Sequence, residues 1–181
     1  MKSEAASFKK KIGKKRVKVI IGGIGKEILK ILPKIDEKDK VILAGFAKSV
    51  NKSINVGEVV VANKIQGKKI RVPKEFSKKK LVSLYTADKV VYHFNKKGYD
   101  IIDMEAKHLV NKVGNLVVVR AISDSEEDIS FLNKFNGVPK IFRPFLLDVT
   151  ECQSLLRLMR NSKIAGRNLA AYLTKIVKRY S

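Results

Sequence analysis

Apolar and polar positions along the 181-residue chain alternate between strand-like and helix-like spacing. Val17, Val19, Ile20 and Ile21 form a β-branched run that ends in Gly22-Gly23, which predicts a strand feeding a tight turn. Residues 25–32 have helical spacing and stop at Pro33. Val41-Ile42-Leu43-Ala44 is apolar throughout, the pattern of a strand covered on both faces. Residues 56–62 and 68–72 predict two strands joined around Gly67, and residues 81–85 another. Ile101-Ile102 is a short apolar strand, and Met104, Leu109, Val110 and Val113 suit a helix over 103–113. Leu116-Val117-Val118-Val119 opens the clearest strand, which runs on to Ile122. A loop-rich stretch with Gly137, Pro139 and Pro144 precedes residues 154–180. There Leu155, Leu158, Met159, Leu169, Leu173, Ile176 and Val177 predict a long amphipathic helix. Strands alternating with helices, with no repeat or linker, imply one α/β domain over residues 1–181 with a mixed, twisted central sheet flanked by helices.

Composition narrows the function classes. With 45% hydrophobic residues the chain has material for a core, and no apolar run approaches the ~18 residues of a membrane span. Lysines rather than an apolar stretch follow Met1, so the expectation is a cytoplasmic protein without a secretory signal. One cysteine excludes an internal disulfide framework and a cysteine zinc site. The net charge of +22 points to an anionic partner: nucleic acid, a membrane surface or a phosphorylated small molecule. The lysines lie in short scattered runs with no aromatic-interleaved nucleic-acid motif, which favours a solvated basic surface over nucleic-acid binding. His93 and His108 have no metal-ligand spacing. Tyr85, Tyr92, Phe94 and Tyr99 are read as core packing before base stacking.

Two carboxylate-bearing segments stand out. Asp103-Met104-Glu105 sits where a short strand turns into a helix, where carboxylates serve as caps or as ligands. Asp124 follows a buried strand, at the strand end where open α/β sheets bind ligands. Gly22, Gly23, Gly25 and Gly45 would bring backbone N–H groups near an anion, without matching a dinucleotide or P-loop pattern.

In this order the segments resemble the purine nucleoside phosphorylase/uridine phosphorylase superfamily, above all its methylthioadenosine/S-adenosylhomocysteine nucleosidases. Val117-Val118-Val119-Arg120-Ala121-Ile122-Ser123-Asp124 looks like the family's acid-bearing strand, and Ile102-Asp103-Met104-Glu105-Ala106 like its ribose-binding segment. Residues 41–47 and 54–61 are similar to its glycine-rich loop and following strand, with Asn55 and Glu58 substituted. Gly23-Ile24-Gly25-Lys26 resembles the early strand–helix turn. Leu155-Leu156-Arg157-Leu158 is more loosely similar to the hopanoid-associated phosphorylases.

The resemblance implies cleavage of a purine nucleoside, with Asp124 protonating the base, Ser123 orienting it, Glu105 holding the ribose and Met104 packing beneath the sugar. Backbone groups at Val90 and Val91 match the base-recognition loop. Met1-Lys2-Ser3-Glu4-Ala5 looks like the family's Met-x-x-Glu segment without the strand that precedes it, so Glu4 would activate water or neighbour a phosphate. Phe46, Ala47 and Lys48 fall where the family lines its nucleophile pocket: Phe46 would crowd it, and Lys48 would set a cation beside phosphate. No cofactor is implied beyond phosphate as a co-substrate, and the family's habit implies a homo-oligomer, a dimer or larger. The alternatives are a non-catalytic nucleoside-binding module of the same fold and a basic protein that docks on nucleic acid or an acidic surface.

Overall fold

The computed structural model describes residues 17–36, 38–125 and 148–179. The expected role of Glu4 and the expected loop bearing Gly137, Pro139 and Pro144 lie outside the described residues. The architecture is mixed α/β, with a central mixed sheet and helices against it. Its strands are β1 (Val41–Ser49), β2 (Val59–Ile65), β3 (Lys68–Lys69), β4 (Leu81–Thr86), β5 (Ile101–Asp103) and β6 (Leu116–Ser125). A 3-10 turn at Gly25–Glu27 runs into α1 (Ile28–Ile31); α2 spans Ala106–Leu109 and α3 Val149–Arg179. Leu32 turns extended ahead of Pro33, as the residue before a proline must.

The strand order is β3-β2-β4-β5-β1-β6, and β6 pairs again with β2, so the sheet curls until it closes on itself. β6 runs parallel to β1 from Val41↔Leu116 to Ala47↔Ile122 and antiparallel to β2 through Val59↔Ala121 and Val61↔Val119. Gln66 and Gly67 both have positive φ, the backbone of a tight two-residue hairpin between β2 and β3.

Alternation along the strands makes two cores. Val60, Ala62, Leu84, Ile101, Val118 and Ile122 pack with Leu109 on one side of the sheet. Val59, Val61, Val119 and Ala121 face Ala165, Leu169, Leu173 and Ile176 of α3 on the other. At ~25 cal/mol per Å², this burial on both faces is the chief stabilising term.

Three expectations are corrected. Residues 17–21 join no ladder among the described residues; β-branched composition favours a strand, but only pairing makes one. The helix expected over 103–113 shrinks to one turn, because Asp103 belongs to β5 and its carboxylate takes the N–H of Ala106. α3 starts earlier than residue 154. Asp148 accepts from the Glu151 N–H (2.8 Å) while Glu151 accepts from the Asp148 N–H (3.0 Å), a capping box at its head. On this helix Leu156 and Met159, two of the residues in the family-like stretch and the predicted stripe, are exposed, whereas the stripe from Leu169 onward is buried.

Candidate functional site

The site begins with a charge in a place that forbids an unpaired one. β6 is buried from Leu116 to Ser123, yet its fifth residue is Arg120, only 2% exposed. A guanidinium so far from water needs carboxylates. Arg120 Nε donates to Asp103 Oδ2 (3.1 Å), and one terminal nitrogen donates to the same Asp103 oxygen and to Glu105 Oε2 (3.2 Å). Asp103 also accepts from the Thr86 hydroxyl (2.7 Å) and the Ala106 N–H (3.1 Å), which fully satisfies a carboxylate buried at 4% exposure. Gly45 on β1 lies opposite Arg120 in the ladder, and a Cβ there would collide with the guanidinium. Absence of a side chain at position 45 is what lets the arginine reach across.

Glu105 is held from two sides: Oε2 by Arg120, and Oε1 by the backbone N–H of Gly25 (3.3 Å). Gly25 has φ +62, so the early glycine turn does bring an N–H to an anion, and that anion is Glu105 of the same chain. Met104 is half-buried beside it.

At the end of β6 the Ser123 hydroxyl donates to Asp124 Oδ1. The ladder slips by one residue here: Ala47 pairs with Ile122 and Lys48 with Asp124, so Ser123 is the extra residue of a bulge. Bulges re-aim side chains, and this one makes Asp124 and Lys48 register partners at the strand ends. Lys48, buried at 6% exposure, sends Nζ to the carbonyls of Val91 and Tyr92, each at 2.9 Å. The expected base-recognition loop is therefore tied to β1 by an ammonium. At its head Asp88 pairs with Lys107 (2.7 Å), and that hydrogen bond holds its carboxyl below the usual range.

A cleft of about 2090 Å³ joins these groups, with Lys48, Val91, Met104, Glu105, Ser123 and Asp124 among its lining residues. Val90 also borders it and is half exposed. Ala47 contributes its methyl to the first core. Phe46 packs with the second core, on the side of α3, and also borders the cavity. Tyr85, Phe94 and Tyr99 pack against one another in tilted and edge-to-face pairs. Among the described residues no group of three His, Cys, Asp or Glu is placed to hold a metal, and no helix is long and apolar enough to cross a membrane.

Of the residues expected from sequence, Asp124, Ser123, Met104, Glu105, Val90, Val91, Phe46, Ala47 and Lys48 all border this one large cavity, which also reaches residues of both cores. Arg120 was not singled out. The signal for it was present: one arginine inside an otherwise apolar strand is either an interruption of the core or the centre of a buried ion network.

The fold is a nucleoside phosphorylase-like α/β architecture. No protein-family model matches the chain, and no curated protein does. Solved structures of similar fold are nucleosidases. The Streptococcus pneumoniae MTA/SAH nucleosidase in complex with 8-aminoadenine is 19% identical, with a TM-score of 0.59 over 96% of this chain and 94% of that one. The Colwellia psychrerythraea 5'-methylthioadenosine/S-adenosylhomocysteine nucleosidase, in complex with adenine, is 14% identical, with a TM-score of 0.57 over 98% and 91%. A Chlamydia trachomatis MTAN bound to MTA is 14% identical at a TM-score of 0.51; 77% of this chain spans 65% of its length.

Proposed function

We propose that this chain cleaves the N-glycosidic bond of a purine nucleoside, with Asp124 as the acid that protonates the leaving base and Glu105 as the carboxylate that holds the ribose. The observation that carries this reading is that both carboxylates, each with an orienting partner, border one cavity. Breaking this bond builds positive charge on the sugar and negative charge on the purine. A carboxyl group that delivers a proton to the base relieves the second, which is typically worth ~100- to 10,000-fold in rate. A carboxylate beside the sugar stabilises the first. Arg120 and the Gly25 N–H fix Glu105 before substrate arrives, so little reorganisation is left for the reaction. The ligands in the structures of similar fold, adenine, 8-aminoadenine and MTA, support a purine in such a cleft. The attacking group is water or phosphate.

Base release from methylthioadenosine, S-adenosylhomocysteine, adenosine and inosine, each with and without phosphate, tests the reading. Release is expected from at least one of them, and Asp124→Asn is expected to slow it by ~100-fold or more with an unchanged circular dichroism spectrum and melting point. Parent-rate release by the Asn variant would remove Asp124 from the mechanism. A second reading, binding without cleavage, is favoured by one observation: both Glu105 oxygens are already engaged by the chain itself. Calorimetric binding of a nucleoside that is never cleaved would select it.

A further inference from the structure

We propose that the outward face of the first half of α3 docks on an anionic lipid surface. The proposal stands apart from the nucleoside reading, since none of the residues that carry it lines the cleft.

α3 is packed along its second half only. Its buried residues begin at Ala165 and run through Leu169 and Leu173 to Ile176, against the sheet. Over residues 150–164 no side chain is buried. Large apolar side chains are exposed there instead: Leu155 at 38%, Leu156 at 65%, Met159 at 63% and Ile164 at 36%. Single exposed apolar residues are ordinary, but these stand within about three turns of one helix and make a patch. At about 100° per residue, Cys152, Leu156, Met159 and Lys163 share one stripe. Leu155 lies on one shoulder of that stripe, and Arg160 and Arg167 lie on the other.

Charge then selects the partner. No Asp or Glu follows Glu151 in the chain, and Glu151 is itself taken up in the capping box at the helix head. The outward face thus sets cations around an apolar stripe, with no carboxylate of its own to offset them. Nucleic acid would use those cations and gain little from Leu156 and Met159 between them. A second copy docked through the same patch would set Arg160, Lys163 and Arg167 against their own images, in a chain of net charge +22. An anionic bilayer suits both features. Leu155, Leu156 and Met159 enter the boundary between headgroups and acyl chains, and the arginine and lysine stems lie along it with their charges on lipid phosphates. The helix lies in the plane of the surface and does not span it.

Co-sedimentation of the full chain with vesicles tests the proposal. Phosphatidylcholine alone is compared with equal parts of phosphatidylcholine and phosphatidylglycerol, at ~0.15 M salt. Binding is expected to the anionic vesicles only. Leu156→Ser with Met159→Ser is expected to weaken it by ~10-fold or more, because the patch loses most of its apolar area. Arg160→Gln with Arg167→Gln is expected to weaken it by a similar factor. Lys30→Gln with Lys112→Gln removes the same charge beside Ile28 and Val113 of the first core, and is expected to leave binding within ~2-fold. All of these positions are exposed, so an unchanged circular dichroism spectrum is expected throughout; should one α3 pair fail to fold, the other decides. Absence of binding, equal binding to neutral vesicles, or equal losses in the two cation pairs overturns the proposal. So does an apolar pair that binds like the parent, the result for a surface that attracts any polyanion by charge alone. A parent that is dimeric in sedimentation velocity, is made monomeric by the apolar pair and ignores vesicles overturns it in favour of self-association.

Discussion

Tyr172 sits on α3 with its ring edge-on to Phe76, at 6.5 Å between centroids, and its phenol oxygen buried without a partner among the described residues. An unsatisfied buried hydroxyl costs about 1–3 kcal/mol. Tyr172→Phe is therefore expected to raise the melting point at pH 7 by about 2–4 °C, corresponding to ~1 kcal/mol in a chain of this size. Burial pushes the phenol above its ordinary value of 10.0. A raised pKa means that the fold favours the neutral form, so this contribution is complete below pH 10 and is lost as pH climbs through the folded value. The Phe variant should lose less stability than the parent between pH 7 and about pH 11; parallel curves would refute the assignment. The same scale shows what single residues disclose in sequence. Asp124 and Glu105 were singled out because each sits beside a strand end, in a segment that resembles a known family's. Arg120 and Gly45 were not, because their meaning lies in each other: a long cation on one strand and an empty side-chain position on its neighbour, 75 residues apart in the chain.

Among the elements, strands were read well where both faces are covered, as in β6, or where burial alternates, as in β4, and poorly where pairing decides, as in residues 17–21. The head of α3 was missed because a capping box, Asp148-Val149-Thr150-Glu151, carries no apolar periodicity. The tail of α3 was legible because its apolar stripe is the wall of the second core. That wall can be probed. Ile176 is 2% exposed against Val59, Val61, Val119 and neighbouring residues, and Ile176→Ala is expected to lose about 2–5 kcal/mol in urea unfolding. A loss below ~1 kcal/mol would mean that α3 does not close this face. Asn168 gives α3 a second anchor, its side-chain amide donating to the Gly57 carbonyl at 2.8 Å.

For the whole molecule, the +22 charge is a stability statement before it is a functional one. Like charges over one surface oppose compaction, and salt screens them, with a Debye length falling from ~30 Å at 0.01 M to ~8 Å at 0.15 M. The buried Arg120–Asp103–Glu105 network is shielded from that screening. The melting point is therefore expected to rise between 20 and 500 mM sodium chloride; a fall would mean that surface ion pairs outweigh the repulsion. The closed sheet has a dynamic consequence as well. Residues 119–121 are hydrogen-bonded to β1 on one side and to β2 on the other, so β6 cannot peel from an edge. Opening it means breaking two ladders at once, which leaves slow, global unfolding as the route to its amides. The segment that borders the cleft is held to β1 by a side chain instead, the Lys48 ammonium on the carbonyls of residues 91 and 92.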